Sequence, residues 1–418
     1  MGEGAVTASL LIFLFTYTFI AVRNIPGVPL DMPAGALVGA VLMVATGVLS
    51  LQEAYIAIDW NTLLLLLGMM LVVAYLAMGG LFHWIASCLA RRSLSPFRLL
   101  VWVVLLSGFL SAIFVNDTIC LLFTPILLPL LRSLRLNPIP YLIALATASN
   151  IGGQMSIMGN PQNMFIGNHS EISFARFFLL LSPITLIGLA LNVAVIAWIY
   201  RKELASPASP VEIGPNDLLP ETDRPLLIKS LAVVAGMLVL FFAEQPYPLV
   251  AIGGAAVLFL IGNRKPELAF RKVDWTLLVF FASLFVVMRG LERSGWVRLV
   301  LEGSAPLLQG SPAQVVAVLS GVTLVLSNLV SNVPAVVLLE PFVEALPNPD
   351  LGWLTLAMSS TLAGNLTLVG SVANLIVVSL ARPEVEISFW EYFKVGAILT
   401  LLTIGVGVGV LILEARFL

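Results

Sequence analysis

Asn116 and Asp117 stand side by side in the stretch Ser111 to Pro125, with almost unbroken apolar sequence on both sides. Placing a carboxylate at the centre of a bilayer costs about 2.5–3.5 kcal/mol on insertion scales. A chain keeps such a group where it meets water, an ion or a cargo. A second stretch, Ser327 to Pro341, answers the first with Ser331, Asn332 and Glu340. In each, an Asn precedes a Pro by nine positions, 116 to 125 and 332 to 341. These read as the two halves of one binding site.

Two further stretches break apolar sequence in the same manner, Gly159-Asn160-Pro161-Gln162-Asn163 and Gly364-Asn365 to Gly370-Ser371. Glycine permits unwinding, proline removes a backbone donor, and amide side chains serve either sign of charge. Helix N-termini at such a break attract anions, and loose carbonyls hold cations. Thr147, Ser149, Asn150 and Gln154 add polar groups just before the first break. The expected cargo contacts are Asn116, Asp117, Thr118, Ser331, Asn332, Asn163 and Asn374. The expected ion-coupling set is Asp117, Ser149, Asn150, Gly159, Asn160, Gly364, Asn365 and Gly370. Taken singly, an Asn or Ser in a membrane helix often only bonds across a helix interface. Four polar breaks at matched places argue for more.

Other polar residues have plainer roles. Asp59 and Asp274 each precede a Trp and read as caps or interface anchors. His83 and His169 lie near span ends without a partner at ligand spacing, so no metal site is expected. Arg289 and Arg293 fall at the end of a span, where they snorkel. Cys88 and Cys120 read as core thiols. There is no G-x-x-x-x-G-K-[ST], H-E-x-x-H or G-x-S-x-G sequence and no supported nucleophile–base pair. An enzyme is not expected, nor any cofactor beyond a coupling sodium or proton. Transport must be driven by an ion gradient or by a separate subunit.

The elements that position these residues are membrane spans. The 418 residues are 59% hydrophobic and 11% charged, against about 25% charged in soluble domains. Apolar stretches near span length recur from end to end, which predicts an all-α polytopic membrane protein. A net charge of −2 gives no nucleic-acid surface. The first apolar segment has no Lys or Arg before it and is expected to stay as a transmembrane helix. Candidate spans lie near 5–22, 33–51, 61–80, a pair at 97–115 and 117–131, an interrupted span at 140–166, and 176–200. The second series lies near 227–243, 247–263, 275–292, a pair at 312–331 and 333–346, an interrupted span at 353–381, and 392–415. Residues 201–226 are polar and Pro-rich and divide the chain into 1–200, a cytoplasmic linker, and 227–418.

The halves repeat. Asp59-Trp60 corresponds to Asp274-Trp275, Asn116 to Asn332, and Asn163 to Asn374, at offsets of 215, 216 and 211. If each Asn-centred pair is a re-entrant hairpin, each half crosses five times and the second half is inverted. Arg23, Arg91, Arg92, Arg98, Arg132, Arg135, Arg201, Lys202, Arg224, Lys229, Arg264, Lys265, Arg271, Lys272, Arg382 and Lys394 then share one side. Arg176, Arg289, Arg293, Arg298 and Arg416 fall on or towards the other. Cytoplasmic loops carry the Lys and Arg, so both termini are expected outside a plasma (inner) membrane. With full spans in place of hairpins the charges would scatter.

Four motifs resemble the ion transporter superfamily over nearly the whole chain. They are Val115-Asn116-Asp117 with Thr124-Pro125, Ile157 to Asn163, Ser331-Asn332-Val333-Pro334, and Gly370-Ser371-Val372-Ala373-Asn374. The superfamily includes divalent-anion sodium symporters, arsenite/antimonite efflux permeases and related bacterial anion transporters. The resemblance implies two inverted-topology repeats of five spans, each with a re-entrant hairpin and one broken helix. Dicarboxylate symporters carry Ser-Asn-Thr at both tips, and this chain keeps only the asparagines at both. The Asn-Asp of the first tip and the Asn-to-Pro run of the second are similar to the arsenite permeases. Gly159-Asn160-Pro161-Gln162-Asn163 is more similar to the bacterial anion transporters.

The implied activity is proton-exchange efflux of arsenite or antimonite, a small oxyanion in its neutral hydroxide form. Sodium-coupled dicarboxylate or sulfate transport and sodium/proton antiport are the alternatives within transport. A non-transporting subunit that docks a cytoplasmic ATPase is the alternative of another class. A second copy of the chain, as a homodimer, is a further candidate partner.

Overall fold

A computed structural model describes residues 3–21, 31–90, 95–205, 222–299, 302–303 and 310–415. Most of the linker, and Arg23, Arg91, Arg92 and Arg416, lie outside the described residues. Every regular element among the described residues is helical. The first half runs α1 (Glu3–Ala21), α2 (Met32–Ala45), α3 (Leu51–Ala57), α4 (Trp60–Met78), α5 (Leu81–Ala90), α6 (Pro96–Ile113) and α7 (Asn116–Ser133). It continues α8 (Ile139–Gly153), α9 (Pro161–His169), α10 (Phe174–Ile199) and α11 (Arg201–Ala205). The second half runs α12 (Arg224–Phe242), α13 (Tyr247–Ile261), α14 (Pro266–Phe270), α15 (Trp275–Arg293), α16 (Pro312–Val330) and α17 (Asn332–Glu344). It ends with α18 (Pro349–Ala363), α19 (Val372–Ala381) and α20 (Phe389–Glu414). The helices α4, α6, α10, α12, α15, α16 and α20 are long and apolar enough to cross a membrane. Shorter apolar helices include α2, α13 and α19.

Local chemistry sets the helix starts. Ser95 caps α6 with Pro96 in its first turn, and Ser311 with Gln314 makes a capping box before Pro312 of α16. Asp59 and Asp274 accept backbone N–H bonds at the starts of α4 and α15, the capping role expected for them. The sequence reading passed over the short helices α3, α5, α11 and α14.

The α6–α7 pair breaks at Phe114-Val115, and the α16–α17 pair at Ser331. Tyr141 Oη donates to Pro96 O at 3.1 Å, which brings the start of α8 beside the start of α6. Only a short link joins α8 to the end of α7, so the first hairpin enters and leaves at one end of the bundle. That end also holds the ion pairs Arg132–Glu384 (2.5 Å) and Arg264–Asp223 (2.7 Å). The second hairpin opens at the other end, beside Arg176–Asp350 (2.6 Å) at the start of α18. Asn168–Thr62 (3.1 Å) and the Arg293–Glu53 pair mark that same end.

Packing exchanges elements between the halves. Helix α4 packs on α13 and α15 on α2, while α7 packs on α19 and α17 on α9. The polar residues at the breaks lie in the centre of this body. Asn116, Asn150, Asn160, Asn163, Asn332, Asn365 and Asn374 are all buried.

Candidate transport site

The two tips meet. Asn116 and Asp117 of α7, Ser331, Asn332 of α17, Gln162 of α9 and Ser371 line one central cavity of about 30 Å³. Its remaining wall is apolar, including Phe280, Phe281 and Val333, and contains no Lys or Arg. A second cavity of about 280 Å³ reaches Asp117 and Thr118 and includes Arg271, Lys272 and Asp274. The two cavities share Asp117, Leu277 and Val372, so Asp117 lines both. The backbone N–H of Ala373, in the first turn of α19, donates to Ser371 Oγ at 3.3 Å.

Buried amides hold the tips in place. Asn116 Nδ2 donates to Asn150 Oδ1 at 2.8 Å. Asn150 Nδ2 donates to Asn365 Oδ1 (2.8 Å) and Asn374 Oδ1 (3.2 Å), and Ser371 Oγ donates back to Asn150 Oδ1 (3.1 Å). On the matching side, Asn160 Nδ2 and Gln162 Nε2 both donate to Thr361 Oγ1 at 3.1 Å. At the second tip Ser327 Oγ donates to Asn332 Oδ1 at 2.6 Å. Apart from Asn116–Asn150 and Ser327–Asn332, these bonds cross from one half to the other, and together they leave few polar groups loose in a low-dielectric centre.

The breaks use one device twice. After α8 a single 3₁₀ turn, Ile157–Gly159, precedes α9; after α18 the turn Leu368–Gly370 precedes α19. Asn163 Nδ2 donates to the carbonyls of Gly153, Gln154 and Ser156 at 3.2, 3.4 and 3.0 Å. Asn374 Nδ2 donates to those of Gly364 and Thr367 at 2.7 and 3.1 Å. Each asparagine thus satisfies carbonyls that the broken helix leaves free. The backbone closes tightly there, since a Cβ on Gly159 would lie 2.1 Å from Gly153 O and one on Gly370 2.9 Å from Gly364 O.

The site residues named from sequence therefore divide. Asn116, Asp117, Ser331 and Asn332 converge on the central cavity, and Thr118 lines the neighbouring one. Asn163, Asn374, Asn150, Asn160, Asn365, Gly159, Gly364 and Gly370 sit in the framework behind it, apart from the cavity linings. Ser149 bonds Cys120 Sγ at 3.1 Å in the same framework. Asn116 Oδ1 and Asn163 Oδ1 are buried with no hydrogen-bond partner among the described residues. Sequence reasoning left Gln162, Ser371 and Thr361 out of its site residues, although Gln162 and Ser371 lie inside motifs already singled out. It also gave His169 no partner; Nε2 stands 3.7 Å from Glu340 and Nδ1 3.9 Å from Asp59.

Comparison with known proteins agrees with this architecture. The family described as citrate transporter (CitMHS) matches residues 17–363. The silicon efflux transporter LSI3 of Oryza sativa subsp. japonica is 34% identical, over 92% of this chain and 93% of that protein. A transporter of Dictyostelium discoideum that bears the name arsB is 27% identical, over 97% of this chain and 91% of its own. The crystal structure of the Alcanivorax borkumensis YdaH transporter covers 99% of this chain and 98% of its own at a TM-score of 0.58 and 14% identity, a likeness of fold.

Proposed function

The chain belongs to the citrate transporter family as a polytopic membrane secondary transporter, and from that premise we propose that it exports a small neutral hydroxide in exchange for protons. Arsenous acid is the first candidate, with antimonous acid beside it; the efflux function in the name of the LSI3 relative adds silicic acid. All are compact, uncharged at neutral pH, and ringed by hydroxyls. The observation that carries this reading is the central cavity itself, with amides, hydroxyls and one carboxylate on its wall and no cation. A multiply charged anion buried there would lack a partner charge, at a cost of several kcal/mol.

Asp117 takes and releases the coupling proton. Asn116, Ser331 and Asn332 hold the cargo, with Gln162 and Ser371 completing the ring. Asn163 and Asn374 keep the breaks in shape, and Asn150 ties both breaks to the first tip. The repeats are inverted in the membrane, a reading supported by hairpins that open at opposite ends. The end with Arg132 and Arg264 faces the cytoplasm, and both termini face outside. Alternating access comes from movement of the hairpin-bearing group, α6–α10 with α16–α20, against α1, α2, α4, α12, α13 and α15.

The test is flux in proteoliposomes with an imposed pH gradient. Arsenous acid, silicic acid, citrate and sulfate would each be offered with and without sodium. The reading predicts gradient-driven movement of a neutral hydroxide without sodium. Sodium-dependent citrate movement, with no flux of either hydroxide, would replace it by the carboxylate carrier that the family description suggests.

A further inference from the structure

The cavity at the far end of the bundle has chemistry that the second repeat does not share with the first. It holds about 600 Å³ and is lined by Asp59, His169, Glu292, Glu340 and Glu344 among others. Glu340 lies on α17, eight residues past the second tip, on the re-entrant helix itself. At the offset of 216 its counterpart on α7 is Thr124, so this carboxylate is not a by-product of the duplication. The counterpart of Asp117 is Val333, which is apolar. The second helices of the hairpins thus carry their carboxylates at unequal depth: Asp117 at the first tip, Glu340 and Glu344 toward the far mouth.

The imidazole of His169, in the far chamber beside Glu340, has a fixed orientation. A carbonyl can only accept, so Nδ1 of His169 donates its hydrogen to Phe165 O at 2.9 Å. Nε2 is left facing Glu340 Oε1 at 3.7 Å, a span that a small rotation or one water closes. Asp59 Oδ2 lies 3.9 Å from Nδ1 on the other side. The remaining charged groups around the chamber are Glu344, Arg289, Glu292 and Arg298. Arg289 is paired with Glu292 at 3.1 Å, and Arg298 with Glu302 at 3.0 Å. Both guanidinium groups are thereby engaged elsewhere, which leaves His169 as the base beside Glu340.

The chamber ends inward on an apolar layer. Phe165 stacks on His169 at 4.0 Å between ring centroids and on Phe285 at 5.6 Å. Phe165, Phe285 and Val337 line the chamber, and it shares no lining residue with the central cavity. The cavity toward the Arg132 end, by contrast, shares Asp117, Leu277 and Val372 with the central one.

We propose that His169 and Glu340 form a second proton-binding station, which loads protons from the end of the bundle opposite Arg132. The proposal rests on the proton exchange inferred above. A proton from chamber water binds Nε2 of His169 while Nδ1 keeps its own. It then passes to the Glu340 carboxylate, leaving a neutral imidazole and a neutral carboxylic acid. When the Phe165–Phe285 layer parts, that proton is the one delivered toward the tips. Glu340 is half-buried and His169 is open to the chamber, and an ionisable residue so placed on a transport helix is suited to such a relay.

Two measurements on the full-length protein test this. In proteoliposomes, Glu340→Gln is expected to lower pH-gradient-driven arsenous acid flux by roughly tenfold, the scale of a coupling between sites. Exchange of labelled for unlabelled arsenous acid without a gradient should stay near the wild-type rate. His169→Gln should give the same split and remains informative if Glu340→Gln does not fold. Gradient-driven flux at the wild-type rate in the folded variants would overturn the proposal. If the wild type moves no arsenous or silicic acid, the reading of the cargo fails, and infrared pH difference spectra decide this proposal alone. A carboxylic-acid band that Glu340→Gln removes, and whose midpoint His169→Gln shifts, supports the station. Spectra unchanged in both variants refute it.

Discussion

Asp117 and Ser331 mark the two tips in different ways. Asp117 has its charge at the meeting of two cavities. Asp117→Asn keeps the shape of the side chain and removes its proton chemistry, so coupled transport is expected to vanish while thermal stability holds. Proteoliposome flux and a melting curve together check this, and a wild-type rate would refute the role. Ser331 has φ +74 and ψ 163, a region that is essentially glycine's alone. Its strain is worth about 1–3 kcal/mol, and Ser331→Gly would release most of it at an entropic cost of about 0.5–1 kcal/mol. The expected outcome is a higher melting temperature with weaker arsenous acid binding, because Ser331 lines the cavity. Stability unchanged would show that the tip is not strained.

Outside the bilayer, Asp223 makes a pH prediction. Its bond from Arg264 and its capping bond from Leu226 hold the carboxyl below the usual carboxylate range. Such a group stabilises the fold above its unfolded pKa, and the contribution is lost as pH falls through the lower, folded value. Asp223→Asn should therefore melt earlier than wild type at pH 7. The gap should close as pH falls below about 4, the unfolded value for an aspartate. A gap that persists in acid would mean that the ion pair is not its source.

At the scale of elements, the breaks depend on close backbone contact. A methyl at Gly159 would meet Gly153 O at 2.1 Å, so Gly159→Ala must spread the first break and is expected to cost at least about 1–3 kcal/mol. A melting temperature equal to wild type would contradict the tight turn. These breaks were legible in the sequence because Gly, Pro and Asn interrupt apolar runs, and so were the tips. The caps at Asp59 and Asp274 were legible because a cap acts on its own next turn. What each buried amide bonds to was not legible. Asn150 meets Asn374 across 224 residues, and no local pattern announces such a partner. The same is true of His169, whose carboxylates arrive from α17 and from the start of α4. Helix α5 was missed because its 10 residues are too short for a span.

Across the whole molecule, the cavities are unequal. The central cavity shares Asp117 with the one toward the Arg132 end, while the opposite chamber, walled by Phe165 and Phe285, shares no lining residue with it. The duplication supplies two similar hairpins, and the chemistry lies in how they differ: Asp117 against Val333, Glu340 against Thr124. On the proposed reading, cargo and proton use one centre at different times, and the carboxylate of Asp117 beside the amides of Asn116 and Asn332 would be that centre.

The most direct test follows cargo and protons in the same vesicles. Arsenous and silicic acid movement would be recorded alongside lumenal pH, for wild type and for Asp117→Asn. The account predicts that protons move opposite to the hydroxide in fixed ratio in the wild type, and that Asp117→Asn loses both movements together. Hydroxide flux in Asp117→Asn at the wild-type rate, with the proton movement intact, would contradict it.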